Sequence, residues 1–252
     1  MNNLIGSFIL TTLAGLSTLL GLAILLLKNK NKDKITASSL SFAAGVMLCV
    51  SITDLIPESV KLLTSTYNSF LTILICFISI IIGIILSLII EKTIKDNNTV
   101  KDISLYKIGI ISMITIIIHN IPEGIITFLT SSINSQIGLR LAIAIALHNI
   151  PEGISIGIPI YYSTKNKKKT FYYTLMAALS EPLGAILAYT ILYKYLNNTL
   201  LGIILGIISG IMINISLFEF IPKAKEYNNN KLINYWFIIG IMIMLLNIIF
   251  IN

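Results

Sequence analysis

IIIHNIPEGIITF, residues Ile116–Phe128, and AIALHNIPEGISIGIP, residues Ala144–Pro159, share the hexapeptide His-Asn-Ile-Pro-Glu-Gly inside otherwise apolar sequence. His119 and His148 are the only two histidines of the chain. An imidazole and a carboxylate are costly at the centre of a membrane helix and mark a functional site when they occur there. An identical pair, repeated, is hard to assign to chance. Fold and function both turn on whether these stretches cross a bilayer.

The surrounding composition says that they do. Hydrophobic residues make up 56% of the 252 residues, charged residues 12%, and the mean hydropathy is +0.89, far from the balance of soluble domains. A helix needs about 20 predominantly apolar residues to span the hydrocarbon layer. Eight segments reach that length: Leu4–Leu27, Ile35–Leu55, Phe70–Ile90, Ile108–Leu129, Leu139–Tyr161, Phe171–Leu196, Leu200–Ile221 and Leu232–Ile251. The predicted fold is an all-α integral membrane protein of eight spans, with residues 1–252 forming one transmembrane domain. Little chain remains for a soluble enzyme module. Cys49 and Cys76 fall within spans, form no C-x-x-C pair, and read as small apolar fillers.

Charge orients the spans. Lysines 28, 30, 32 and 34 follow the first span, and lysines 92, 95, 101 and 107 follow the third. Lysines 165, 167, 168 and 169 follow the fifth, and lysines 223, 225 and 231 the seventh. These loops hold 15 of the 18 basic residues, against Lys61, Arg140 and Lys194 on the other side. The positive-inside rule makes the first set cytoplasmic and places both termini outside. The net charge of +7 therefore reports topology. No basic domain or aromatic platform is available for nucleic acid, which is excluded as a partner. The first span lacks a basic leader and a small-residue cleavage site, so it is predicted to be retained. The abundance of Ile, Asn and Lys reads as compositional bias without functional content.

Glu123, Glu152 and Glu181 lie well inside the fourth, fifth and sixth spans. At 1.5 Å per residue, His119 falls roughly 18 Å from Lys107, Glu152 roughly 20 Å from Lys165, and Glu181 roughly 18 Å from Lys169. Glu123 comes one turn further, so all four can meet in one layer near the midplane. Within each hexapeptide the histidine and glutamate are four residues apart, on one helix face. Pro122 and Pro151 free the carbonyls of Ile118 and Leu147 and are expected to loosen the helix there, which is tolerated at that depth only against protein or a cavity. Gly124 and Gly153 permit close approach of another helix or a hydrated ion.

An unpaired charged carboxylate at a helix centre costs on the order of 2.5–3.5 kcal/mol, and no lysine or arginine shares that layer. The glutamates are either protonated or neutralised by a cation from solution. Two imidazoles beside them favour a transition metal, Zn²⁺, Fe²⁺, Mn²⁺ or Co²⁺, over the oxygen-only preferences of Ca²⁺ and Mg²⁺. A second matching pair, Asp54-Leu-Ile-Pro57 and Glu219-Phe-Ile-Pro222, ends the second span near the outer mouth and the seventh near the cytoplasmic mouth. With antiparallel hexapeptides between them, this reads as an inverted repeat, spans one to three against six to eight, around a midplane site. Asp54 would attract a cation at the entrance and Glu219 would help it leave. Gly202, Gly206 and Gly210 make a small-residue stripe suited to helix packing.

At IIIHNIPEGIITF, AIALHNIPEGISIGIP and LSEPLGA (Leu179–Ala185) the chain resembles the ZIP (Zrt-, Irt-like) divalent-metal transporters, most closely their bacterial ZupT-type branch. The resemblance covers all eight spans. It implies a two-metal site: one position formed by His119, Glu123, His148 and Glu152, the other by Asn120, Asn149 and Glu181, with Glu123 and Glu152 bridging. It also implies a thioether ligand in some relatives at the position of Met47, and a polar entrance residue at Asp54. The third loop, Glu91–Lys107, lacks the histidine-rich tract of many eukaryotic members. The expected function is import of Zn²⁺, and also of Fe²⁺, Mn²⁺ or Co²⁺, across a plasma or inner membrane, with the metal as substrate and no resident cofactor. Family members are often homodimers. The rival readings are an intramembrane metal-dependent hydrolase or oxygenase and a metal sensor without flux. The absence of H-E-x-x-H and of a signalling domain speaks against them.

Overall fold

The structure, a computed structural model, describes residues 2–26, 31–94, 101–190, 197–227 and 230–251, and every element among them is helical. Among the described residues, seven helices are long and apolar enough to cross a membrane: Leu4–Ala23, Asp33–Thr64, Ser69–Ile89, Leu105–Ile133, Ser135–Thr164, Lys167–Thr190 and Asn198–Tyr227. An eighth apolar helix, Asn230–Ile251, completes the set. These are the eight expected spans. Lys28, Lys30, Lys95 and Lys194 lie outside the described residues, as does the C-terminal end expected for the sixth span.

Helix starts are capped by a residue type that composition alone did not explain. Asn31, Asn68, Asn134, Asn166 and Asn197 each accept a backbone N–H of the following helix through the side-chain oxygen, at 2.9–3.2 Å. A cap of this kind is worth about 1 kcal/mol. Lys165, the one non-glycine residue with positive φ among those described (φ 55°), closes the fifth span in the left-handed conformation.

Three expectations about helix regularity are corrected. The fourth and fifth spans continue as α-helix straight through Pro122, Pro151 and Pro159, so the backbone is not broken where the hexapeptides sit. Regularity is lost elsewhere. The second span is α-helical over Lys32–Val50, widens to a π segment at Ser51–Leu55, and resumes over Ile56–Thr64. The seventh does the same: Asn198–Asn214, π at Ile215–Phe220, then Ile221–Tyr227. Asp54 and Glu219 therefore sit in mid-helix π segments and not at span ends. Pro57 and Pro222 explain this. Each lacks an N–H and crowds the carbonyl four residues back. The ladder shifts to five-residue bonds, Ile56 N–H to Ser51 and Ile221 N–H to Ser216. Single-turn π bulges of this kind recur at functional sites.

The inverted repeat extends much further than the acidic-x-x-Pro pair. GVMLCVSITDLIP (45–57) aligns with GIMINISLFEFIP (210–222), and TTLAGLSTLLG (11–21) aligns with TLMAALSEPLG (174–184). Hydrogen bonds repeat in register. Ser51 and Ser216 donate to the carbonyls of Met47 and Met212, at 2.8 and 2.7 Å. Thr11 and Thr174 donate to Ser7 and Thr170, at 2.9 and 3.0 Å, and Ser17 and Ser180 to Ala14 and Ala177, at 2.6 and 2.5 Å. The first span leaves α geometry after Leu16 and the sixth turns at its counterpart, Leu179.

Glycines lock these helices backbone to backbone. Gly124 lies against the Glu181 carbonyl and Gly153 against that of Thr18. Gly184 and Gly21 return the contact onto Ile121 and Ile150. In the other half Gly45 meets Phe237 and Gly240 meets Phe42, while Gly210 meets Ile80 and Gly83 meets Ile207. The Gly202–Gly210 stripe packs on Leu63, Ser79 and Ile80. Large apolar side chains such as Phe70, Ile73, Phe77 and Ile85 of the third span remain exposed, as lipid contact requires. Gly153→Val is expected to lower the thermal midpoint in detergent sharply, since overpacking costs on the order of 3 kcal/mol at an unyielding backbone contact. Gly6→Ala, where an added Cβ meets nothing within 4 Å, should leave it unchanged or raise it slightly.

Candidate metal centre

The antiparallel fourth and fifth spans set the two hexapeptides side by side, and each histidine finds the glutamate of the other helix. His119 Nε2 is hydrogen-bonded to Glu152 Oε1 at 2.8 Å, and His148 Nε2 to Glu123 Oε2 at 3.4 Å. The pairing is thus crossed between the repeats, whereas the i, i+4 spacing had placed each pair on one helix. Both arrangements use the same faces. Antiparallel register brings position i of one helix opposite i+4 of its neighbour.

Asn149 joins the sixth and first spans to this layer, its Nδ2 donating to Glu181 Oε1 and, at 2.9 Å, to the Ala14 carbonyl. His119, Asn120, Asn149, Glu152 and Glu181 are fully buried, and Glu123 and His148 are 2% and 3% exposed. His119, Glu123, Glu152 and Glu181, the four residues whose depth was counted along the helices, are thus buried together with Asn120, His148 and Asn149. Among the described residues, no three His, Cys, Asp or Glu side chains close on a single point as a ready ligand cage. Each acid has taken a nearby imidazole or carboxamide. Even so, every one of the seven keeps at least one buried polar atom with no hydrogen-bond partner in the protein, among them His119 Nδ1, His148 Nδ1, Glu123 Oε1, Glu152 Oε2 and Glu181 Oε2. Imidazole nitrogen with carboxylate and carboxamide oxygen is a mixed donor set that fits zinc and other first-row divalent ions.

A cavity of about 480 Å³ leads to this layer from one side. Its walls include exposed Lys61 and Arg140, half-buried Glu58 and Asp54, and finally Glu123 and His148. Lys61 and Arg140 belong to the side assigned to the exterior, so the cavity faces outward. It reaches the looser His148–Glu123 pair. Asp54, placed by its π segment, lines the passage partway in, inside the mouth expected for it. Of Glu58, Lys61 and Arg140 at the opening, Glu58 was not singled out in the sequence, and Lys61 and Arg140 were read only for topology. The signal for the first two was Pro57-Glu-Ser-Val-Lys61, an i, i+3 ion pair of 2.9 Å directly after the proline.

Two other candidates lie elsewhere. Met47 is buried in an apolar cluster with Met212, Ile211 and Ile215, and is absent from the cavity wall. Glu219 is half-buried on the seventh span and engaged in an interaction of its own; it does not line the outer cavity.

The profile of the family described as ZIP Zinc transporter matches residues 95–248. The chain is 38% identical to a protein named zinc transporter ZupT from Streptococcus mutans, with 98% of each chain covered. It is 35% identical to the ZupT of Clostridium perfringens (99% of this chain, 97% of that one) and 36% identical to that of Oceanobacillus iheyensis (99% of each).

The crossed pairs have a measurable signature. In double-mutant cycles on thermal stability, His119→Ala should couple to Glu152→Ala by on the order of 1 kcal/mol, and to Glu123→Ala by much less. Stronger coupling within each hexapeptide would contradict the crossed geometry.

Proposed function

Because the chain belongs to the ZIP family, we propose that it is a transporter and not an enzyme, carrying Zn²⁺ into the cytoplasm through the layer of His119, Asn120, Glu123, His148, Asn149, Glu152 and Glu181. The whole chain acts as one membrane domain in the plasma or inner membrane. The observation that carries this reading is the outward cavity ending on His148 and Glu123. A path from bulk water to buried ligands suits flux and has no use in a sealed structural site.

The chemistry follows from the residues. Asp54 draws the cation inward from the mouth, where Arg140 and Lys61 temper the negative potential of Glu58. At the layer the ion exchanges water for carboxylate, imidazole and carboxamide donors. Each His–Glu hydrogen bond must open as the ion arrives, so binding is offset by the loss of existing contacts. That offset keeps the site releasable, as conduction demands. Glu123 and Glu152 face both histidines across the helix pair and can hand the ion from one position to the next. Glu219, on the cytoplasmic half of the seventh span, assists departure. Fe²⁺, Mn²⁺ and Co²⁺ share the donor preferences and are further substrates under this proposal.

In proteoliposomes loaded with a zinc-sensitive dye, the wild type should admit zinc, while Glu152→Ala, Glu123→Ala and His148→Ala insert normally and admit none. Wild-type flux in any of the three would remove the layer from the path. Asp54→Asn should raise the half-saturating zinc concentration more than it lowers the maximal rate. Protons compete with metal for the same carboxylates and imidazoles. Uptake at subsaturating zinc should accordingly rise as the external pH is raised from 5.5 to 7.5.

A further inference from the structure

The inverted repeat assigns each site residue a counterpart. His119 corresponds to His148, Asn120 to Asn149, and Glu123 to Glu152. Glu181 also has one. The alignment of TTLAGLSTLLG with TLMAALSEPLG places Thr18 opposite Glu181. Backbone contacts agree, since Glu181 rests on Gly124 of the fourth span and Thr18 on Gly153 of the fifth. The side chains either side of the comparison are oriented alike. Ser17 and Ser180, each one residue earlier, make the same hydrogen bond to the carbonyl three residues back.

Glu181 is engaged by Asn149. The corresponding side chains on the other flank, Asn120 and Thr18, are both fully buried. Neither the carboxamide of Asn120 nor Thr18 Oγ1 has any hydrogen-bond partner in the protein. Buried polar groups left unpaired cost stability, and an accumulation of them calls for an explanation. Both halves of one symmetry-related pair are unpaired together, while the other pair is bonded.

We infer that Thr18 is a further binding residue of the metal layer. Its correspondence to Glu181 assigns its hydroxyl to the asparagine-flanked position from the first span, where it offers a neutral oxygen to the ion or to the ion's remaining water. The inference rests on the proposed transport function of that layer. Thr18 makes the position asymmetric: a charged oxygen on one flank and a neutral one on the other. A neutral donor holds a divalent ion less tightly, which favours onward passage.

The test is zinc binding by purified protein in detergent, read by calorimetry with Zn²⁺ alone, alongside the thermal midpoint of each metal-free variant. Thr18→Val keeps the shape and removes the hydroxyl. It is expected to weaken one zinc-binding event about five-fold, the worth of one hydrogen-bond-sized interaction, and to leave the metal-free midpoint unchanged or slightly higher. Thr18→Ser should bind as the wild type does. Wild-type affinities in Thr18→Val, or equal weakening in Thr18→Ser, would overturn the assignment. So would a lowered metal-free midpoint with unchanged binding, which marks a packing role. If the wild type binds zinc, Glu152→Ala does not, and Thr18→Val is normal, the inference falls and the transport reading stands. If the wild type binds no zinc, both fall.

Discussion

Three carboxylates at the depth of lipid tails, in a layer with no lysine or arginine, set the terms for the rest of this molecule. The energy of leaving them bare exceeds what local helix propensity can supply, so the neighbouring spans are arranged around them. Imidazoles answer two of the acids and an asparagine answers the third. Glu181 reaches Asn149 from a third helix, whose backbone is seated on the fourth span at Gly124, and Gly153 seats the first span on the fifth in the same way. Each of these glycines follows a glutamate by one residue. The chemistry and the packing are therefore written in the same six residues. Changing either the acid or the glycine disturbs both.

Much of this was legible in the sequence, and for identifiable reasons. Apolar runs and alternating lysine loops fixed the number and direction of the spans, because bilayer thickness and charge bias act on each segment alone. Depth counting put His119 and the three glutamates at one level, because helical rise is constant. The crossed pairing was not legible. It depends on the register between two antiparallel helices, which no local pattern encodes. Pro57 and Pro222 read as helix ends; the short amphipathic turns beyond them, Glu58–Lys61 and Lys223–Glu226, carry the helix on. Asn31, Asn68, Asn134, Asn166 and Asn197 looked like bias and turned out to cap helices. Thr18 escaped notice because a lone threonine in an apolar span carries no chemical signal. Only alignment of the first span with the sixth exposes it.

The two halves share a scaffold but not its chemistry. Where Glu58 and Lys61 pair after Pro57, Lys223 and Glu226 pair after Pro222 at 2.7 Å with the charges exchanged. Asn214 donates to Ser87 at 3.0 Å in one half, while the matching positions, Cys49 and Met244, sit together in an apolar cluster. Asn214 and Cys49 are close in size, whereas Met244 is much larger than Ser87, so the exchange alters packing as well as polarity. The two halves are therefore alike in helix arrangement and unlike in the charges and polar contacts they carry.

The glycine contacts divide the helices into two bonded sets. Gly21 and Gly153 tie the first span to the fifth, Gly124 and Gly184 the fourth to the sixth, and Gly15 the first to the sixth. Gly45 and Gly240 tie the second to the eighth, Gly83 and Gly210 the third to the seventh, and Gly202 the second to the seventh. None of these glycines bridges the two sets. The seven residues of the layer all ride on one set, whereas Asp54 and Glu219 stand on the other. The hydrogen bonds that tie His119 to Glu152, His148 to Glu123, and Asn149 to Glu181 and Ala14 all lie within that one set, so among the described residues the layer is held together without any bond to the helices that carry Asp54 and Glu219.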